Sequence, residues 1–241
     1  MNAADIMTRD VVTVAPDTNV AEIARLMLER RVSAVPVVEN GAPIGIVSEG
    51  DLLHRPETGT EPHHSRWLEL FLSRDSLAAE YVRTHGRTAR DVMTSEVISV
   101  GETTSIAEIA DLLESRHIKR VPVVADDGRL VGIVSRANLL QGLASRTAGP
   151  SAVTVDDQRI RDALLDELAS QDWAGSPDPG NVIVEDGVVH LWGLVRSPEV
   201  RRAMVVAARN IAGVKAVEDH MDRNRDHDAM TWPNWPNPAR P

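Results

Sequence analysis

The stretch Val35-Pro36-Val37-Val38, followed by Gly45-Ile46-Val47-Ser48-Glu49-Gly50-Asp51, decides the fold because it occurs twice. Its second copy reads Val121-Pro122-Val123-Val124 and then Gly132-Ile133-Val134-Ser135-Arg136-Ala137-Asn138. A unit this short buries too little apolar surface to be stable alone. The repeat therefore predicts two like subdomains packed against each other, with the interface between them as the first place to look for function.

The repeat also extends upstream of these stretches. Asp5-Ile6-Met7-Thr8 returns 86 positions later as Asp91-Val92-Met93-Thr94. Apolar residues then recur at i, i+3, i+4 and i+7 from Val20, and again from Ile106, which predicts one amphipathic helix in each copy. The apolar runs on either side of Asn40-Gly41 predict a hairpin, and a further short helix is expected after it.

Each copy thus reads as short strand, helix, hairpin and helix, with Gly-x-x-Ser-x-x-Asp after the last strand of the first copy. These motifs in this order resemble the CBS domain, and the tandem pair resembles a Bateman module. The resemblance assigns residues 1–58 to the first CBS repeat and 87–145 to the second, with a helical insert at 59–86. It implies a pseudo-symmetric α/β (α+β) disk whose clefts often hold adenine nucleotides, a sensor rather than a catalyst.

The resemblance also implies which residues of the first cleft bind the ligand. Asp51 matches the ribose-binding carboxylate, and Ser48 matches the hydroxyl position that precedes it. The positions that match the contacts to the base and its apolar wall, in the two copies, are Thr13, Ser99, Val37 and Val123. The alternative for Ser48 and for its counterpart Ser135 is a purely structural role, because serine is a preferred helix cap.

In the second copy, Asn138 stands where the first copy has the carboxylate. An amide accepts through one oxygen and carries no charge, so we expect the second site, with Ser135, to hold ribose less firmly. Arg136 is expected to add a phosphate contact there, and Arg120 or Lys119 is assigned to the same cleft. The ligand expected is AMP, ADP or ATP, and no cofactor is required.

Residues 151–222 follow a different pattern. Asp157, or Asp156 before it, is expected to cap a helix, and Asp-Gly at 186–187 predicts a hairpin. The stretch Gly187-Val188-Val189-His190-Leu191-Trp192-Gly193, a following Ser-Pro helix and a last strand near Val217 resemble the BON domain, a small α+β domain. The resemblance implies attachment to a membrane lipid or a protein partner. His190 is expected to face solvent on its strand.

Two further segments carry little regular pattern. Trp67, Phe71 and Tyr81 in the insert predict a helix that packs on the core or forms a homodimer contact. No metal site is predicted, because the histidines at 54, 63, 64 and 85 lack ligand spacing. The tail at 223–241 holds two tryptophans among closely spaced prolines and is expected to be disordered.

Composition narrows the class of protein. The net charge of −10 argues against nucleic acid as a partner, and the absence of cysteine excludes thiol chemistry. No apolar run of about 18 residues occurs and no leader is recognised, so a cytoplasmic location is expected.

The sequence therefore favours a non-enzymatic regulatory protein that senses an adenine nucleotide and passes the signal to its BON unit. The alternative is a structural or tethering protein in which the CBS pair only dimerises. An enzyme is disfavoured, because no nucleophile, base and orienting group can be assembled from the motifs.

Overall fold

The computed structural model describes residues 1–53, 81–82, 84–146, 154–174 and 181–223. The chain forms two compact units, residues 1–153 and 154–241. Most of the predicted insert and nearly all of the predicted tail lie outside the described residues, and so do His54, His63 and His64.

The first repeat folds as α1 Ala3–Ile6, α2 Val20–Glu29, β1 Ala34–Glu39, β2 Ala42–Ser48 and α3 Glu49–Leu53. The two strands form the predicted antiparallel hairpin. Asn40 and Gly41 have φ values of 52° and 83°, the pair of positive angles that a type I′ turn requires. Asn19 starts α2 because its side chain accepts a hydrogen bond from the Ala21 amide.

The second repeat folds as α4 Ala89–Val92, β3 Val100–Gly101, α5 Ile106–Ser115, β4 Arg120–Val124, β5 Leu130–Ser135 and α6 Arg136–Ala144. Its sheet has the order β3-β4-β5, with β3 parallel and β5 antiparallel to β4. Ser105 and Glu108 form the predicted capping box at the start of α5. In the first repeat, Val14 pairs in parallel with Val37 at the position equivalent to β3.

The opening segment of each repeat docks on the other repeat. Thr8 exchanges two backbone hydrogen bonds with Ile133 of β5, and Thr94 does the same with Ile46 of β2. The helix α4 contributes Val92, which is fully buried in the core of the first repeat. Each repeat is therefore completed by a segment that the sequence assigns to its neighbour.

Two methionines pack these opening segments against the repeat on which they dock. Met7 lies against Gly132, and Met93 lies against Gly45. A Cβ atom at either glycine would overlap the methionine sulfur, and Met7 is almost fully buried. The glycine of Gly-Ile-Val-Ser is thus required by the partner repeat's Met-Thr segment, which explains why the two motifs recur together.

The C-terminal unit contains α7 Val155–Ala169, β6 Asn181–Glu185, β7 Val188–Val195, α8 Pro198–Asn210 and β8 Ala216–Arg223. Its strands have the order β6-β7-β8, with β8 parallel to β7 after the α8 crossover. One face of the sheet, with Val189 and Leu191, packs on Ile160 and Leu164 of α7 and on Ala208 of α8.

Two expectations for this unit were wrong. Thr154, rather than Asp157 or Asp156, is the N-cap of α7, and Asp157 is the third helical residue, which completes a capping box. His190 does not face solvent: it is 2% exposed. Alternation along β7 does place it on the face opposite the helices, but that face is covered at this point.

Candidate functional site

A cavity of about 350 Å³ opens where the two repeats meet. This volume lies within the range of about 300–1,000 Å³ that is common for small-molecule sites. The first repeat contributes the start of β1, the end of β2 and the start of α3. The second contributes the segment after α4, the turn after α5 and the start of β4. The lining residues are Ser33, Ala34, Ile46, Ser48, Glu49, Gly50, Asp51, Thr94, Glu96, Ile98, His117, Ile118, Lys119 and Arg120.

Ser48 and Asp51 share this lining and bond to each other. The Ser48 backbone amide and hydroxyl both donate to Asp51 Oδ2, at 2.8 and 2.6 Å. Ser48 therefore stands at the start of α3 with the reciprocal contact of a capping box. Asp51 Oδ1 accepts no hydrogen bond from the described residues, so one carboxylate oxygen is available to a ligand while the other holds the helix start.

The cationic residues of the cavity come from the second repeat. Arg120 donates to Ser33 Oγ at 2.5 Å and to the Ala34 carbonyl at 3.4 Å, which ties the start of β4 to the start of β1. Burial lowers the pKa of the Arg120 guanidinium, and the Glu49 carboxylate opposes that change. The described residues use only part of its five-donor fork, so donors remain for an anionic ligand.

The assignment of Arg120 and Lys119 to the second cleft was wrong. Both line the cavity that contains Asp51. The physical reason is the packing of the repeats, in which the Arg120 side chain at the start of β4 bonds to Ser33 and Ala34 at the start of β1 and so lies at the first repeat's cavity. From sequence order alone, a residue is expected to line the cleft of its own repeat.

At the equivalent position of the second repeat, Asn138 is 5% exposed. Its Oδ1 accepts from the Ser135 amide and hydroxyl at 2.8 and 2.7 Å, and its Nδ2 donates to Thr8 Oγ1 at 3.3 Å. The amide is thus held within the protein on both sides. Arg136 is exposed, and its guanidinium donates to the Ile118 carbonyl at 3.4 Å.

The four remaining predicted site residues do not line the Asp51 cavity. Thr13 is exposed and borders a separate depression beside α2, together with Thr18 and Arg25. Val37 and Val123 are fully buried, because these strand positions point into the cores. Ser99 is exposed immediately before β3.

Sequence reasoning missed ten of the fourteen described lining residues, and three of these ten belong to the segment after α4. Thr94 is the threonine of the repeated Met-Thr motif, so its recurrence was a usable signal. Glu96 and Ile98 follow it in an irregular segment that has no periodicity to read.

Family models match the chain in three segments. The CBS domain model matches residues 3–57 and 89–145, and the BON domain model matches residues 156–224. The chain belongs to the CBS-domain proteins. It carries a tandem CBS pair followed by a BON domain, and its fold is two pseudo-symmetric CBS subdomains plus a small α+β BON domain.

Relatives of the CBS pair come from distant organisms. An uncharacterized protein of Methanocaldococcus jannaschii is 33% identical over 150 residues, which cover 58% of this chain and 89% of that protein. The chloroplastic CBS domain-containing protein CBSX1 of Arabidopsis thaliana is 32% identical over 148 residues, or 57% of this chain and 61% of that one. Neither match covers the whole of this chain, so what it does as a whole does not follow from them.

Among solved structures, CBSX2 in complex with AMP shares 29% sequence identity with this CBS-domain protein. The TM-score is 0.52, and the match covers 60% of this chain and 99% of that one. Among the helices of the described residues, none is both long and apolar enough to cross a membrane.

The arrangement in the CBS pair suits a polar, anionic ligand with vicinal hydroxyls. Asp51 supplies an acceptor, Lys119 and Arg120 supply donors and positive charge, and Ile98 and Ile118 supply apolar surface. The acidic Glu49 and Glu96 at the same cavity disfavour a ligand that presents only negative charge.

Proposed function

We propose that this protein is a non-enzymatic regulator that binds an adenine nucleotide in the cavity between its CBS repeats. The observation that carries the proposal is the joint presence of the Asp51 carboxylate and the cations Lys119 and Arg120 in one cavity of about 350 Å³. The AMP complex of the similar protein CBSX2 supports the choice of an adenine nucleotide.

The proposal assigns a role to each group. Asp51 Oδ1 accepts from the ribose hydroxyls, and Lys119 and Arg120 bind phosphate. A ligand held by both repeats stabilises the exchanged arrangement of α1 and α4, because it bridges elements from the two halves. The bound state then changes how the BON domain engages a lipid or protein partner.

The two sites of the pair are expected to differ. Asn138 already uses its oxygen and its amide within the protein, at Ser135 and Thr8, so binding there requires breaking internal hydrogen bonds. We therefore assign high affinity to the Asp51 cavity alone.

A thermal melt tests the nucleotide site. Saturation at about 100 times the dissociation constant stabilises a protein by about 2.7 kcal/mol, which for a unit of this size raises the melting temperature by about 5–10 °C. Asp51→Asn places the residue of the second repeat in the first and keeps the contact with Ser48, so it is expected to remove most of the shift. Arg120→Gln is expected to weaken AMP, ADP and ATP while sparing adenosine.

The matched control is Asn138→Asp, which leaves the Asp51 cavity intact and is expected to retain the shift. If wild-type protein shows no shift with millimolar AMP, ADP or ATP, nucleotide sensing is rejected. A full melting-temperature shift in Asp51→Asn would instead show that the nucleotide binds at another site.

A tethering role is the second candidate, and exposed leucines favour it. Leu140 and Leu143 of α6 are each 66% exposed and lie three residues apart, on one side of the helix. The two side chains form an apolar patch on this helix, and exposed patches mark contacts between proteins when they extend over a few hundred Å². We propose that it pairs two copies of this chain into a homodimer.

Light scattering on the full chain at tens of micromolar is expected to give twice the chain mass. Leu140→Glu with Leu143→Glu is expected to give the mass of a monomer. A wild-type monomer, or a dimer that survives both substitutions, contradicts this interface.

A further inference from the structure

A cluster of two histidines and a glutamate lies on the sheet of the BON domain, outside the CBS pair. His190 Nδ1 is 3.1 Å from His220 Nε2, and Glu218 Oε2 is 3.4 Å from the former and 3.5 Å from the latter. The parallel register of β7 and β8 creates the cluster, since His190 pairs with Glu218 and Trp192 pairs with His220. We propose that these three side chains bind a divalent transition-metal ion of the zinc type.

The separations of the three atoms fit such an ion. A tetrahedral zinc ion with ligands at about 2.0–2.1 Å places its donor atoms about 3.3–3.4 Å apart. The three observed separations, 3.1–3.5 Å, lie on both sides of this value. The two rings are nearly parallel with centroids 5.4 Å apart, so Nδ1 and Nε2 point almost directly at each other, and an ion bound by both requires each imidazole to rotate until its lone pair points at the ion.

The competing explanation is a plain hydrogen bond between the two imidazoles. One shared proton satisfies His190 Nδ1 and His220 Nε2 at 3.1 Å. It leaves Glu218 Oε2 beyond the usual range of about 2.7–3.2 Å for a hydrogen bond from either ring. A metal ion uses all three atoms at once, which is why the cluster favours it.

His190 is the buried member of the cluster. Burial lowers the pKa of the His190 imidazole, Glu218 opposes that change and His220 adds to it. Its other nitrogen, Nε2, is buried without a hydrogen-bond partner among the described residues. When Nδ1 binds an ion, the ring proton is on Nε2, which has no acceptor among the described residues.

The surroundings favour access and orientation. The side chain of Glu218 is 53% exposed and that of His220 is 29% exposed, so an ion reaches them from solvent while His190 holds the inner position. Trp192 stacks on His220 with ring centroids 4.0 Å apart, which orients the imidazole. Three protein ligands leave a fourth position for water or for a donor from a partner.

Equilibrium dialysis of the full chain against Zn²⁺ after chelator treatment tests the site. Wild-type protein is expected to bind one more equivalent per chain than His220→Gln or Glu218→Gln, with at least a tenfold loss of affinity at this site in each variant. Co²⁺ provides a second readout, because a four-coordinate site gives visible absorption that each variant is expected to lose. The matched control is His85→Gln, a histidine outside the cluster, which is expected to bind like wild type.

Circular dichroism confirms that each variant is folded, and His220→Gln changes a partly exposed residue so that the buried His190 is left in place. Equal zinc binding by wild type and both variants overturns the proposal. So does a melting temperature that falls in His220→Gln while wild type gains nothing from zinc, since that result identifies a hydrogen-bonded pair. Neither outcome depends on nucleotide binding, so this test is independent of the function proposed for the CBS pair.

Discussion

Gly132→Val is expected to destabilise the CBS pair by about 3 kcal/mol or more, at the upper end of what overpacking costs. The added side chain occupies the space of the Met7 sulfur, and Met7 is almost fully buried, with its own Cβ only 3.1 Å from the added Cβ, so rotation of the Met7 side chain does not remove the whole overlap. Chemical denaturation followed by circular dichroism measures the effect. Gly101→Val is the matched control, because a Cβ there meets only Thr104 Oγ1, at 3.9 Å.

A double-mutant cycle identifies the cause. Met7→Ala alone is expected to cost about 2–5 kcal/mol through the cavity it leaves. In the Gly132→Val background it is expected to cost much less, because the valine fills part of that cavity. Additive costs would show that the two side chains do not compete for the same space.

Asp157→Ala is expected to destabilise the BON domain by about 3 kcal/mol or more. Asp157 is buried, and its carboxylate accepts from the Thr154 amide and hydroxyl and, 30 residues away, from the Gly187 amide at 2.7 Å. Removal leaves the buried Gly187 amide without an acceptor, at about 1–3 kcal/mol, and it also breaks the capping box with the exposed Thr154, at about 0.5–2 kcal/mol. The exposed neighbour Asp156 is the control, and Asp156→Ala is expected to change the unfolding free energy by less than about 0.5 kcal/mol.

The same carboxylate makes the stability of the BON domain depend on pH. Burial raises the pKa of Asp157, but hydrogen bonds from Thr154, Gly187 and Asp186 outweigh it, and the net change is downward. A group whose pKa is depressed by folding stabilises the protein above its unfolded pKa, about 3.9, and loses this contribution as pH falls toward the folded value. Melts between pH 7 and pH 3 are expected to show a loss in wild type that is smaller in Asp157→Asn. Parallel curves would contradict the assignment.

Local features of the fold were predictable from the sequence. The Asn40-Gly41 and Asp186-Gly187 turns, the apolar stripe of α2 and the capping box at Ser105 all depend on residues close together in the chain. The interactions that form them lie within one turn of helix or one hairpin, so all the residues involved are found in one short stretch of sequence.

Features built from distant segments were not predictable. Arg120 reaches Ser33 across 87 positions, and no periodicity reports that contact. The approach of His190 to His220 depends on the register of two parallel strands, which the crossover helix between them does not reveal. The weaker grip of Asn138 on ribose was expected from the chemistry of an amide. Its hydrogen bond to Thr8 was not, because that bond depends on the docking of the opening segment of the first repeat on the second.

This docking bears on how the chain is made. The residues that receive Met7 and Thr8 are Gly132 and Ile133, more than 120 positions later. At about 5–20 residues per second, the first helix leaves the ribosome several seconds before its binding groove exists. Contacts this far apart in sequence also form slowly. During synthesis, the groove of the first repeat that receives Met93 therefore stays empty until the second repeat is made. In that interval, the opening segment of another copy, with its Met7, is the segment most similar to the one that carries Met93.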